Sequence, residues 1–150
     1  MLPASFETYG VEETEEIGRR LAMEMQKDAG LPPFVALYGD LGVGKTAFVR
    51  GFASVIAPGV AVRSPTFALV NEYRARPRSL FHFDMYRIES EDDLDSIGFY
   101  DYLDRSGICL VEWSEKIPYA LPEEWLRVEI EKISPDTPDR RKITITHIGG

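Results

Sequence analysis

The octapeptide Gly39-Asp40-Leu41-Gly42-Val43-Gly44-Lys45-Thr46 follows directly on the apolar run Phe34-Val35-Ala36-Leu37-Tyr38. A complete G-x-x-x-x-G-K-[ST] loop at the end of a strand-like run leaves few folds open, because it demands a buried strand, a phosphate-cradling turn and a helix in that order. The glycines let backbone N–H groups curl inward around phosphate oxygens, where residues with a Cβ resist positive φ. In this reading Asp40, Leu41, Gly42, Val43 and Gly44 form the cradle. Lys45 supplies a mobile charge for the β and γ phosphates, and Thr46 offers a hydroxyl to Mg²⁺. Residues 45–57 carry Phe48, Phe52 and Val55 at helical spacing and stop at Pro58-Gly59, so a helix amino terminus faces the phosphates. The expected ligand is a nucleoside triphosphate with Mg²⁺.

Other features of the chain bound what such a loop can serve. Its 150 residues predict one domain, 1–150, large enough for a core without staples. The single cysteine, Cys109, lies in the apolar run 108–111, so it reads as a core thiol in a reducing cytoplasm. The amino-terminal segment lacks a basic region followed by an apolar one, and no run reaches the ~18 apolar residues of a membrane span. The net charge of −8 is uneven: residues 1–88 carry ten acids and ten bases, residues 89–150 fifteen acids and seven bases. Acidity of this kind disfavours independent binding of tRNA or DNA, since phosphate contacts dominate nucleic-acid affinity. It suits docking on a partner protein equally with simple solubility.

Along the chain, residues 11–29 predict an amphipathic helix with Ile17, Leu21 and Met25 on one face, stopped by Gly30 and Pro32-Pro33. Residues 67–73 and 79–84 predict a hairpin joined by the basic turn Arg74-Ala75-Arg76-Pro77-Arg78. Ser90 is placed to cap a short acidic helix, and residues 99–104 predict another. Residues 108–111 are apolar at every position, as in a central parallel strand. Leu126, Val128 and Ile130, then Ile143 and Ile145, alternate with polar residues and predict an antiparallel pair.

A phosphate loop that hydrolyses its ligand needs a carboxylate near its threonine, at the end of an apolar strand. Asp84 and Glu112 both qualify; Glu112 follows the cleaner apolar run, and sequence leaves open which is innermost. Ser64-Pro65-Thr66-Phe67 reads either as a nucleotide-sensing switch segment or as a proline turn leading into a strand. His82 reads as a packed strand histidine, and Trp113 as a residue bordering the nucleotide or filling a core edge.

In order, GDLGVGKT, SPTF, HFDMYR (82–87) and VEWSEKI (111–117) closely resemble the TsaE family, the small bacterial ATPases of tRNA threonylcarbamoyladenosine biosynthesis. The resemblance extends to Thr14-x-x-Ile17-Gly18-x-x-Leu21-Ala22 and to residues 93–103. It implies an α/β, P-loop NTPase-like three-layer fold with a mostly parallel central sheet plus antiparallel hairpin strands. It further implies that Lys45 and Thr46 bind phosphate and Mg²⁺ of ATP, that Thr66 belongs to the switch segment, and that Asp84 and Glu112 serve the metal and hydrolysis. Trp113 would lie close to the nucleotide, with either Arg140 or Arg141 lining its pocket. The implied partners are TsaD and TsaB, with tRNA engaged only through that complex, no membrane, and an isolated monomer that hydrolyses ATP weakly until its partners stimulate it. Two rivals share the loop: a small-molecule kinase with residues 74–78 as a lid, and a nucleotide-dependent binding module with little turnover.

Overall fold

Strands whose residues are apolar on both faces must be covered on both faces, and in the computed structural model two such strands lie at the centre of the sheet. The structure describes residues 2–40, 42–65 and 69–149. Its elements in chain order are β1 (Ala4–Thr8), α1 (Val11–Lys27), β2 (Phe34–Tyr38), α2 (Lys45–Ile56), β3 (Val70–Tyr73), β4 (Ser79–Asp84), α3 (Glu91–Ser96), α4 (Phe99–Leu103), β5 (Gly107–Glu112), β6 (Trp125–Lys132) and β7 (Arg141–Ile148). Among the described residues these strands form one seven-stranded sheet in the order β1-β7-β6-β2-β5-β4-β3. β2 and β5 are buried at every position. The run β6-β2-β5-β4 is parallel. β3 pairs antiparallel with β4 at one edge, and β7 and β1 add antiparallel strands at the other.

The two faces carry separate cores, which gives the three layers. On one side α1 and α2 pack Leu21, Met25, Phe48 and Phe52 against Leu80, Leu110, Val128 and Ile143 of the sheet. On the other, Leu94 of α3 and Phe99 of α4 cover Phe34, Phe81, Phe83 and Val111. The helices on the first side nearly touch: a Cβ on Gly51 would lie 1.9 Å from the Glu15 carbonyl oxygen. That contact packs the middle of α2 closely against the first half of α1. Cys109 is buried, and burial pushes its thiol up to about 12, which leaves it inert.

The predicted elements stand where the residues place them, with three differences. Residues 4–8 form an edge strand that no strand signal announced. The helix predicted over 11–29 ends at Lys27, where Asp28 leaves helical geometry. The first hairpin strand, predicted over 67–73, is described from Val70; residues 66–68, and with them the Thr66 prediction, lie outside the described residues. Ser90 does cap the acidic helix, its hydroxyl accepting from the Asp93 N–H. Among the described residues no helix is long and apolar enough to cross a membrane.

Candidate functional site

Because β2, β5 and β4 are parallel, their carboxyl ends share one edge of the sheet, and the glycine loop leaves β2 at that edge. Gly44 has φ of 111° as it enters α2, a value that excludes most side chains. Gly39 opens the loop at φ of 145°, and a Cβ there would strike the Ile130 carbonyl oxygen at 2.6 Å. The Gly39 N–H is tied by Glu115, whose Oε2 accepts from it at 3.2 Å. Leu41 lies outside the described residues; Asp40, Gly42, Val43, Gly44, Lys45 and Thr46 lie where the motif requires, between β2 and the first turn of α2.

Residue alternation then brings the acids in. On β4, Leu80, His82 and Asp84 share the face that packs on α2; on β5, Ile108, Leu110 and Glu112 do the same. Asp84 and Glu112 are register partners at the strand ends. A cleft of about 420 Å³ opens over them, lined by Lys45, Thr46, Ser64, Asp84, Glu112 and Trp113 among others. Gly42 and Gly44 line it too, so eight of the residues singled out from sequence converge on one cleft.

Each charged member is buried, and its environment is specific. Lys45 is only 6% exposed; its Nζ donates to the Gly39 carbonyl at 2.6 Å and lies 3.7 Å from the centre of the Trp113 ring. Burial pushes this ammonium below the ordinary lysine range, against the pull of Glu112, Glu115, Asp84 and Asp40. Asp84 is pushed the other way: burial raises it above the ordinary aspartate range and nearby Glu112 adds to the rise, while the Tyr86 N–H bonded to its Oδ1 at 3.0 Å opposes it. Glu112 accepts from His82, with Nε2 and Oε2 2.5 Å apart. Trp113 adopts a left-handed conformation (φ 58°) at the turn that follows β5, and its ring also meets Tyr86 with centroids 5.0 Å apart.

Asp84→Asn is expected to raise the melting temperature of the nucleotide-free chain by about 2–4 °C, corresponding to ~1 kcal/mol. The substitution removes a charge that burial and Glu112 disfavour, and keeps the oxygen that accepts from Tyr86. Calorimetry of both proteins without nucleotide checks this; a lower melting temperature would mean that Lys45 stabilises the carboxylate by more than its burial costs.

Several residues fall differently from their sequence reading. The basic turn 74–78 lies at the amino end of β4, opposite the cleft, where Arg78 donates to the Met25 carbonyl near the end of α1 and Arg105 takes Glu72 through both nitrogens. A strand cannot present both of its ends to one edge, so this turn cannot serve as a lid. Arg140 and Arg141 separate: Arg140 pairs with Glu7 at 2.7 Å, whereas Arg141 donates to the Val43 carbonyl of the glycine loop at 2.9 Å. Glu115 and the His82 contact were not read from sequence. Period-two counting back from Asp84 and Glu112 was the available signal for the histidine.

A glycine loop between a buried parallel strand and a helix amino terminus, with two strand-end carboxylates beside it, defines a P-loop NTPase-like α/β protein. Comparison with known proteins narrows the class. The family described as "Threonylcarbamoyl adenosine biosynthesis protein TsaE" matches residues 8–143. A relative from Bacillus subtilis (strain 168), the "tRNA threonylcarbamoyladenosine biosynthesis protein TsaE", is 36% identical over 99% of this chain and 89% of its own length. A protein of the same name from Haemophilus influenzae is 43% identical over 65% of this chain and 61% of its own. The crystal structure of Bacillus subtilis YdiB superposes with a TM-score of 0.72 at 32% identity, covering 98% of this chain and 86% of that one. The chain belongs to the TsaE family.

Proposed function

We propose that this chain is the ATP-hydrolysing component of tRNA threonylcarbamoyladenosine biosynthesis, a cytoplasmic protein that drives a TsaD–TsaB complex and does not itself hold the tRNA. Family membership supports the pathway. The observation that carries the hydrolytic part is the juxtaposition of a buried Lys45 with Asp84 and Glu112, the register partners at the ends of β4 and β5. No reason of packing requires a cation and two carboxylates there; an anionic phosphate against the lysine, together with a divalent cation against the carboxylates, would account for both signs of charge.

The residues present fit Mg²⁺-ATP. Lys45 has a carbonyl and an aromatic face as its close partners, both of which a phosphate can replace with a stronger charge-assisted bond. Thr46, Asp84 and Glu112 offer hard oxygen donors, the kind Mg²⁺ takes. Among the described residues no group of three or more His, Cys, Asp or Glu is placed to hold a metal by itself, so a divalent ion here would rely on phosphate oxygens as well. Bound in this way, Mg²⁺ supplies neutralisation of charge on the phosphates. The chain's own part is to hold the phosphates with the loop N–H groups and Lys45, to orient a water through Glu112 or Asp84, and to cover the site with Trp113. Arg141, packed on the loop carbonyls, is the arginine of its pair that supports a place beside the nucleotide.

An isolated chain of this kind is expected to turn over slowly. Fast phosphate-loop enzymes place an arginine on the developing charge, worth about 10³ to 10⁵ in rate. The chain offers Arg63, Arg74, Arg76, Arg78 and Arg87 for that place; with residues 74–78 at the opposite edge, Arg63 and Arg87 are left, both exposed, and the Arg63 backbone is pinned by Tyr73 and Asn71. Phosphate release should rise clearly on adding TsaD, TsaB and tRNA, and Arg63→Ala should reduce the stimulated rate more than the basal one. Fast hydrolysis indifferent to those partners would overturn the reading, and transfer of phosphate to a metabolite would replace it with a kinase. Binding without turnover in the full mixture would reduce the chain to a binding module.

A further inference from the structure

We propose that His82 is a positioning residue for Glu112, holding one carboxylate oxygen from behind so that the other is directed to the reaction. The inference rests on the hydrolytic reading above and assigns the histidine a part in it. His82 is fully buried, and its Nε2 lies 2.5 Å from Glu112 Oε2. Its other ring nitrogen, Nδ1, is a buried polar atom without a hydrogen-bond partner among the described residues.

Those two facts fix the tautomer. An N–H at Nδ1 would be a buried donor with no acceptor, whereas a bare lone pair there is the cheaper omission. The ring hydrogen therefore sits on Nε2 and is donated to Glu112. Packing does not account for the residue. Leu80 fills the same face of β4 two positions earlier and Leu110 is the register partner of His82, so a leucine at 82 would suit the layer and remove the unpartnered Nδ1, but it would strip the buried Glu112 Oε2 of its donor. What leucine could not do is hold Glu112.

The geometry explains why that matters. Glu112 ends its strand, and beyond it the chain turns sharply at Trp113, so the backbone fixes the glutamate Cα while leaving its side chain several rotamers. With Oε2 on the histidine, the carboxylate plane is set and Oε1 is the oxygen not engaged by it. A group that must orient a water or a metal ligand gains from being held before the nucleotide arrives, as outer partners hold metal ligands elsewhere. His82 touches neither water nor phosphate in this scheme; it acts through Glu112.

Three variants and one spectrum test the proposal. His82→Leu should lower the partner-stimulated kcat about 10- to 100-fold while leaving ATP affinity within about twofold, since it alters no nucleotide contact. His82→Gln, whose amide nitrogen reaches nearly the Nε2 position, should restore most of that loss. In a Glu112→Gln background, His82→Leu should cost little more, because the carboxylate it served is gone. In the nucleotide-free chain, long-range ¹H–¹⁵N correlation should find His82 protonated at Nε2, with the resonance shifted by Glu112→Gln. A kcat that follows melting temperature equally in the leucine and glutamine variants, full additivity with Glu112→Gln, or a hydrogen on Nδ1 would each overturn it. Absence of phosphate release by the wild-type mixture would instead overturn the hydrolytic reading, and the imidazole spectrum would then decide the His82–Glu112 bond alone.

Discussion

Lys45→Ala is expected to lower ATP affinity by about one to two orders of magnitude, because a charge-assisted bond in a partly desolvated site is worth about 1.5–3 kcal/mol and each 1.4 kcal/mol is tenfold. The structure sharpens this expectation. The ammonium is already buried on the Gly39 carbonyl and the Trp113 face, so its desolvation is met during folding and not during binding. Alanine would leave the phosphates facing loop N–H groups and the α2 amino terminus alone. Thr46→Ala should behave otherwise, keeping much of the affinity and losing Mg²⁺-dependent turnover, since its hydroxyl is the candidate metal donor and not a charge. Titration calorimetry with and without Mg²⁺ separates the two, and melting temperatures establish that both variants are folded. Equal loss of affinity in both would contradict the division of roles.

How much of this could be read beforehand depended on whether a feature is local. The loop, the capped helices and the apolar runs of β2 and β5 are signals contained within a few residues, and the structure has them at the predicted positions. β1 escaped because a five-residue edge strand carries only Ala4, Phe6 and Thr8 toward the sheet's packed face, too few to stand out as alternation. The side of the sheet on which the β6–β7 pair would lie was equally hidden, since parallel pairing of β6 with β2 joins segments about ninety residues apart and leaves no mark in either. The candidate site divides in the same way. Lys45, Thr46, Asp84, Glu112 and Trp113 were named from motif and strand-end position, and they line one cleft. The position of the basic turn, a lid only in the kinase reading, was not legible because composition says what a turn carries, not which edge of the sheet it closes. Arg140 and Arg141 were inseparable for a related reason: Arg140 ends the connecting loop and Arg141 begins β7, and only the fold decides which of the two meets the glycine loop. His82 reads as core and is core; its polar end matters only with Glu112 beside it.

Glu112→Gln tests the centre of the site with the least disturbance. The change is nearly isosteric, and the amide oxygen can still accept from His82, so fold and ATP binding should both survive. What disappears is the negative charge proposed to orient a water or a metal-bound ligand, and turnover in the partner-stimulated assay should then fall by about 10²-fold or more. Asp84→Asn should slow turnover as well if both carboxylates serve one metal site. The two variants nevertheless differ in a way the structure makes measurable. Asp84 is the acid whose ionised form burial disfavours, and its backbone partner Tyr86 N–H is neutral, whereas Glu112 has a side-chain donor of its own in His82. Neutralising Asp84 should therefore stabilise the free chain, while neutralising Glu112 weakens a charge-assisted bond and should lower the melting temperature or leave it unchanged. Should Glu112→Gln hydrolyse ATP at the wild-type rate in the assembled mixture, Glu112 would be a structural partner of His82, and Asp84 would be left as the carboxylate that orients the water.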